Sequence, residues 1–501
     1  MSIGRIAAPL LLAVFTLGAP GCGSGPERRP NVLLITVDTL RSDRLGAYGY
    51  DRIQTPNIDR LAAEGALFEY AISDTPWTTP SMSSVMTGTY ATIHGFKSTN
   101  VHPLAHENLT LAEILKEAGY TTAAIVGSFP LDAIFQLDQG FDHYDDEFTT
   151  PIWFMPGHEF EHIESEFFES PDEQRFFILS KALNDSRRED AEVTDAALAW
   201  LSEERSGPFF LWVHYFGPHE KPDWRVAGKR RERRRIRMYD PDTEVTDREV
   251  GRLLGGFGAR GLTEDTFIVF HADHGESLGE NGLVGHGQLL NGPSMRIPLI
   301  LRHPATVTGG LRISQLALNV DILPTVLDAV GIASDRELSG ESLLPRVGSA
   351  AARGFAAIRE RSRDERVAYM ESYYAAHVAF APPVTLADGR KSKVGLIRRG
   401  LQTRLWKYVR SDPYPMIDLE PGSLPEVPEE LAATLVREEL FELEARTGEK
   451  KNVARQNPAV VEEMRALFQR HVEAERGDVP QAPRQMDPET KLRLESLGYG
   501  E

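Results

Sequence analysis

Apolar residues in this chain gather into short unbroken runs that end on polar or acidic positions. Pro30 to Asp38 reads Pro-Asn-Val-Leu-Leu-Ile-Thr-Val-Asp, the pattern of a strand buried on both faces of a parallel sheet. Similar runs occupy 121–127, 209–215, 266–273 and 298–301, and stretches with helical spacing lie at 109–118, 190–203, 245–254 and 320–330. Strands alternating with helices predict an α/β fold, a large and mostly parallel sheet sandwiched by helices. Around 340–354 the texture changes to Gly, Ser, Ala and Arg, which marks an expected boundary. Beyond it, short strand-like runs at 367–373, 393–397, 405–410 and 439–443 precede a helical stretch at 458–473. That order predicts a smaller C-terminal antiparallel α+β subdomain. The expected organisation is a main domain over 30–345, a subdomain over 355–480 and a polar tail over 481–501.

The N-terminus changes this picture by adding an address. Arg5 precedes the apolar stretch Ile6 to Leu17, which is too short to span a bilayer comfortably. Gly18-Ala19-Pro20-Gly21 then runs into Cys22, the single cysteine of the chain. The segment resembles a bacterial lipoprotein signal, with a signal peptide over 1–22 and a tether over 23–29. The expectation is an exported protein, periplasmic or in the cell envelope, lipid-anchored at Cys22. After Cys22 there is no sulfur for a disulfide, a thiolate metal site or a cysteine nucleophile. The formal net charge of −19 excludes nucleic acid as the main partner, because phosphate backbones require a basic face. The basic run from Lys229 to Arg237 reads as a solvated face, with contact to an anionic substrate or a lipid surface as the alternative.

Three distant stretches then suggest one site: Asp38 at the end of the first run, Thr78-Thr79-Pro80-Ser81-Met82-Ser83-Ser84-Val85-Met86-Thr87-Gly88, and Asp273-His274-Gly275-Glu276 at the end of a later run. In α/β sheets, sites assemble where strands end. A carboxylate from each of two strand ends plus an imidazole suits a divalent cation with oxygen and nitrogen donors.

These residues carry a resemblance. The segment Thr78 to Gly88 is similar to the sulfatase signature, Cys or Ser, any residue, then Pro-Ser-Arg and six further residues ending in Thr-Gly. Pro80, Ser81, Thr87 and Gly88 match. Thr78 stands where sulfatases carry the residue converted to formylglycine, and Met82 stands where they carry Arg. Pro56 to Ala62, Gly119 to Thr122, Gln139 to Asp142, Pro218-His219 and Glu439 to Leu443 also resemble sulfatase blocks in family order. The chain thus resembles a sulfatase of the alkaline phosphatase superfamily.

The resemblance implies one divalent metal ion (Ca, Mn, Mg or Zn) on Asp38, Thr78, Asp273 and His274, with Thr78 also the nucleophile. His219 falls at the place of an anion-binding His. His286 lies near a sulfatase Lys that contacts the ester, and would protonate the leaving oxygen. Asp43 reads as an exposed cap rather than an extra ligand, His94 as pocket lining or a turn, and His214 and His271 as buried structural histidines. The implied activity is hydrolysis of a small-molecule or glycan sulfate or phosphate ester through a covalent Thr78 ester. Threonine has no formylglycine hemiacetal through which to release sulfate, which favours phosphate esters or phosphonates, whereas the family pattern favours sulfate. The alternatives are a phosphoryl-group transferase acting on envelope lipids or glycans, and an inactive sulfated-glycan binding protein.

Overall fold

The structure, a computed structural model, describes residues 29–97, 103–148, 187–219, 229–280, 284–348, 366–373, 384–385, 391–392, 394–415, 435–443 and 448–474. The signal segment with Cys22, the greater part of the tether, the far side of the expected boundary and the tail lie outside these residues.

Among the described residues the main sheet has eight strands: β1 (Asn31–Val37), β2 (Ala66–Phe68), β3 (Thr121–Val126), β4 (His143–Asp145), β5 (Phe209–Tyr215), β6 (Thr266–Ala272), β7 (Leu299–Arg302) and β8 (Leu311–Ile313). Their order is β8-β2-β7-β6-β1-β5-β3-β4. The block β6-β1-β5-β3-β4 is parallel throughout, and β1, β5 and β6 are buried along their whole length. This is why the sequence shows them as continuous apolar runs rather than alternating ones. The expected run at 298–301 is a strand, but β7 runs antiparallel to both β6 and β2. The chain between β6 and β7 stays at the carboxyl edge of the parallel block, so β7 has to run back.

Helices α1 (Pro56–Glu64), α2 (Thr78–Thr87), α3 (Leu111–Glu117), α4 (Asp190–Leu201), α5 (Lys229–Ala259) and α6 (Ile322–Ala329) accompany the sheet. Among them α3 begins at a capping box, Thr110 with Glu113, which ends the preceding loop at a defined residue. The basic run of the sequence forms the first turns of α5, which continues through Pro241.

A second sheet, β9 (Ala368–Ser372), β10 (Val394–Gln402), β11 (Trp406–Pro415) and β12 (Arg437–Glu442), is antiparallel in the order β9-β10-β11-β12. Helix α7 (Pro458–Ala474) packs on it through Val461, Met464 and Phe468. The core beneath it is shared, because Ile72, Tyr90, Leu290, Met295, Leu318 and Val320 of the first part are buried in the same cluster. No helix among the described residues is long and apolar enough to cross a membrane.

Candidate active site

The parallel pairing of β1 with β6 sets Val37 opposite Ala272, so the next residues, Asp38 and Asp273, leave the sheet side by side. β5 pairs with β1 on the other side, with Val37 opposite Tyr215, and the turn to His219 starts from that same edge. Asp38, Asp273 and His274 are buried, and each offers one ligand atom within 4.8 Å of the others. Thr78 is the first residue of α2, and no side chain caps that helix end. Its Oγ1 lies 3.2 Å from His274 Nε2. The structure thus brings together Asp38, Thr78, Asp273 and His274.

The donors are oriented before any ligand arrives. Asp273 Oδ1 accepts the backbone N–H groups of Thr39 at 3.1 Å and His274 at 2.7 Å, which leaves Oδ2 turned inward. His274 Nδ1 donates to the Gly275 carbonyl at 2.9 Å, so Nε2 carries the lone pair. Burial holds the His274 pKa below its ordinary value, keeping the imidazole neutral, as a ligand must be. Burial, followed by the charges of Asp273 and Glu276, pushes the Asp38 carboxyl well above its usual range. Asp38 Oδ1 and Asp273 Oδ2 are buried without a hydrogen-bond partner among the described residues. Two unmatched acid oxygens beside a neutral imidazole nitrogen are expensive as they stand and fit a divalent cation.

His286 stands beside this cluster, its ring centroid 4.6 Å from that of His274 and 5.2 Å from that of His219. Trp77 closes one side at 5.2 Å from His286, and Phe216 lies against His219 at 4.6 Å.

Two residues of the site carried no role in the sequence reading. Glu276 is fully buried, and its Oε2 meets His286 Nδ1 at 3.3 Å and the Arg235 guanidinium. Burial would raise its pKa, but Arg235 and His286 outweigh burial and bring it down to about 2. Arg235 belongs to the basic run, so the solvated reading of that run needs correcting at this position. Four residues on, Tyr239 is buried, its hydroxyl donating to the Thr39 carbonyl at 2.6 Å and accepting from Arg41 N at 2.9 Å. Positions 235 and 239 share the inward face of α5, whereas Arg230, Arg233 and Arg237 are exposed. Only the helix register separates these faces, and the uniform charge hides it.

The remaining candidates are elsewhere. Asp43 is ion-paired with Arg41 at 2.7 Å. His94 is buried against Ser84 Oγ, 3.0 Å away, and His214 against Thr36 Oγ1, 2.6 Å away; His271 is buried within β6. Ser81 donates to the Asp273 carbonyl at 2.6 Å, Ser83 to the Thr79 carbonyl at 2.8 Å and Ser84 to Asp74 at 2.6 Å.

Comparison with known proteins follows the same lines. Residues 30–332 match the family model named Sulfatase. The N-acetylgalactosamine-6-sulfatase of Canis lupus familiaris is 29% identical over 375 residues, covering 66% of this chain and 69% of the relative. The ulvan-active sulfatase of Formosa agariphila is 28% identical, covering 63% and 64%. A crystal structure of a putative sulfatase from Bacteroides thetaiotaomicron superposes with a TM-score of 0.65 at 20% identity, over 92% of this chain and 96% of the other. The phosphonate monoester hydrolase of Agrobacterium radiobacter gives 0.61 at 20% identity, over 90% and 97%. The chain belongs to the sulfatase family of ester hydrolases.

Proposed function

We propose that this family member cleaves its ester through Thr78, which becomes esterified and is then freed by water. The observation that carries the reading is the position of Thr78 Oγ1, at an uncapped helix end and 3.2 Å from His274 Nε2. Asp38, Asp273 and His274 would hold one divalent cation. When bound, it would supply Lewis acidity, favouring the ionised Thr78 oxygen and offsetting charge on the non-bridging ester oxygens.

The chain's own groups do the rest. Backbone N–H groups in the first turn of α2 favour an anion in front of Thr78. Thr78 Oγ1 loses its proton to solvent and forms a bond to phosphorus or sulfur, while the bond to the alcohol oxygen breaks. His286, with Nδ1 on Glu276, presents Nε2 to that leaving oxygen and gives it a proton. Water then attacks the same central atom and gives one proton back to His286, while the bond to Thr78 breaks and the Thr78 oxygen takes up a proton from solvent. His219 lies alongside as a contact for the anion. A phosphorylated threonine is released by this route without an aldehyde, so we infer phosphate esters or phosphonates as the preferred substrates, with sulfate esters following from the family. A solved neighbour at 20% identity is a phosphonate monoester hydrolase, and relatives include sulfatases named for 6-sulfated amino sugars. Export and a lipid anchor at Cys22 complete the proposal on sequence grounds alone.

The test is a panel of chromogenic sulfate, phosphate monoester, phosphate diester and phosphonate esters assayed with Ca, Mg, Mn and Zn. Turnover of a phosphorus ester that depends on one of these ions is expected. No turnover of any ester, by a protein that also retains no divalent ion, contradicts the reading in favour of a binding module.

A further inference from the structure

The segment between His286 and Met295 carries the acid of the proposed mechanism, yet its backbone is held by the C-terminal sheet. Ser372, the last residue of β9, donates its hydroxyl to the Gly287 carbonyl, immediately after His286. Lys407 of β11 donates to the Leu290 carbonyl at 2.8 Å and to Glu449 Oε1 at 2.6 Å. Glu449 Oε2 in turn accepts the Gly292 N–H at 2.5 Å. The Lys407 side chain is 1% exposed and that of Glu449 16%, a largely buried ion pair between β11 and the helical turn Gly448–Lys450. Leu290 and Met295 are buried in the same core as Tyr369, Tyr408 and Leu440.

The other side of this segment rests on the metal-ligand loop. Gly275 N donates to the Ser294 carbonyl at 2.8 Å, and Asn291 Nδ2 donates to Ser277 Oγ at 3.0 Å. The approach is so close that a Cβ on Gly275 would stand 2.1 Å from the Pro293 carbonyl oxygen. The segment is therefore a plate clamped between the loop 273–277 and the second sheet, with His286 at its free edge.

We propose that Ser372, Lys407 and Glu449 are positioning residues for His286, so that the C-terminal sheet sets the geometry of proton delivery to the leaving oxygen. This rests on the reading above that His286 is the acid. The three are bonded to the backbone at Gly287, Leu290 and Gly292, and through it their effect passes to the ring. A buried pair broken on one side leaves a charge stranded, so the informative variants are Ser372→Ala, which removes one hydroxyl, and the double change Lys407→Met with Glu449→Gln, which strands no charge.

The experiment compares kcat/KM of the full-length, metal-loaded protein on esters of one acid with leaving alcohols from nitrophenol to a simple alkanol. An acid catalyst matters most for the poorest leaving group and contributes about 100-fold or more there. His286→Ala is expected to lose far more activity on the alkyl ester than on the nitrophenyl ester. Ser372→Ala and the double variant are expected to show the same selective loss, about tenfold, and to add nothing further when combined with His286→Ala. Equal losses on good and poor leaving groups in a variant with unchanged thermal midpoint would overturn the positioning role, as would losses additive with His286→Ala. A flat profile in His286→Ala itself would overturn the acid role and this proposal with it. A steep profile there beside flat ones in the other variants would overturn the positioning alone.

Discussion

Thr39 has a φ of 57°, a left-handed conformation that costs a β-branched residue on the order of 1–3 kcal/mol. Its N–H is one of the two that turn Asp273 Oδ2 inward, and its carbonyl is held by Tyr239. The surroundings thus hold this residue in place, and the acid it orients is preset for a cation. Asp273→Asn keeps the shape and the Oδ1 acceptor but removes the charge. The altered protein is expected to retain less than about a tenth of the divalent metal of the unaltered chain, measured by elemental analysis after dialysis, with a thermal midpoint close to that of the unaltered chain stripped of metal. A full metal complement would remove Asp273 from the ligand set. Asp38, Asp273 and His274 were legible in the sequence because each follows an apolar run, and such runs end at the working edge of a sheet. Glu276 sat in view three residues after Asp273, yet nothing in its spacing shows that it meets an arginine from a helix some forty positions earlier.

Helix α5 shows what the element adds. Arg235 lies on the face that carries Tyr239, and its partner Glu276 is fully buried. Arg235→Gln leaves that carboxylate without its cation, and loss of one member of a buried pair costs about 3–5 kcal/mol. Urea unfolding is expected to show a loss of this order, whereas Arg230→Gln and Arg233→Gln on the exposed face stay within about 0.5 kcal/mol. Equal small effects at all three would mean that the inward pair stabilises nothing.

The helical turn at Ala91–His94 supplies a pH-dependent case. Burial lowers the His94 pKa from 6.5 to about 3, so the folded chain keeps this ring neutral while the unfolded chain protonates it below about 6.5. The stability His94 contributes is therefore present above that pH and is lost as pH falls towards 3. The cost of His94→Gln is expected to be largest near pH 7.5 and to shrink by about 1.4 kcal/mol per unit on acidification below 6.5. A cost independent of pH would contradict a neutral buried ring.

At the scale of the whole molecule, the two sheets are one structure at the site. Ile72, Tyr90, Leu290, Met295 and Leu318 are buried against the second sheet and its helix. At about 1.5–3 kcal/mol for each buried side chain, their exposure would consume a total stability of about 5–15 kcal/mol. A chain ending at Gly348 is expected to be insoluble or to lose its metal, as solubility after expression and elemental analysis would show; a soluble, metal-loaded fragment would contradict the shared core. The sequence announced two sheets through the change from fully apolar runs to short mixed ones. It did not announce the shared core, because Leu290 and Met295 lie in a stretch without periodicity whose partners come from far along the chain. Nor did it show the direction of β7, since a fully apolar run reads the same either way.

As the nucleophile, Thr78 has to become covalently esterified during turnover. Rapid acid quenching during turnover of the ester that proves active, followed by peptide mass spectrometry, measures this directly. The added group is expected on Thr78, absent in Thr78→Val with turnover down by several orders of magnitude, and Thr78→Ser is expected to keep partial activity. An adduct on Ser81, Ser83 or Ser84, or near-normal turnover in Thr78→Val, would contradict it.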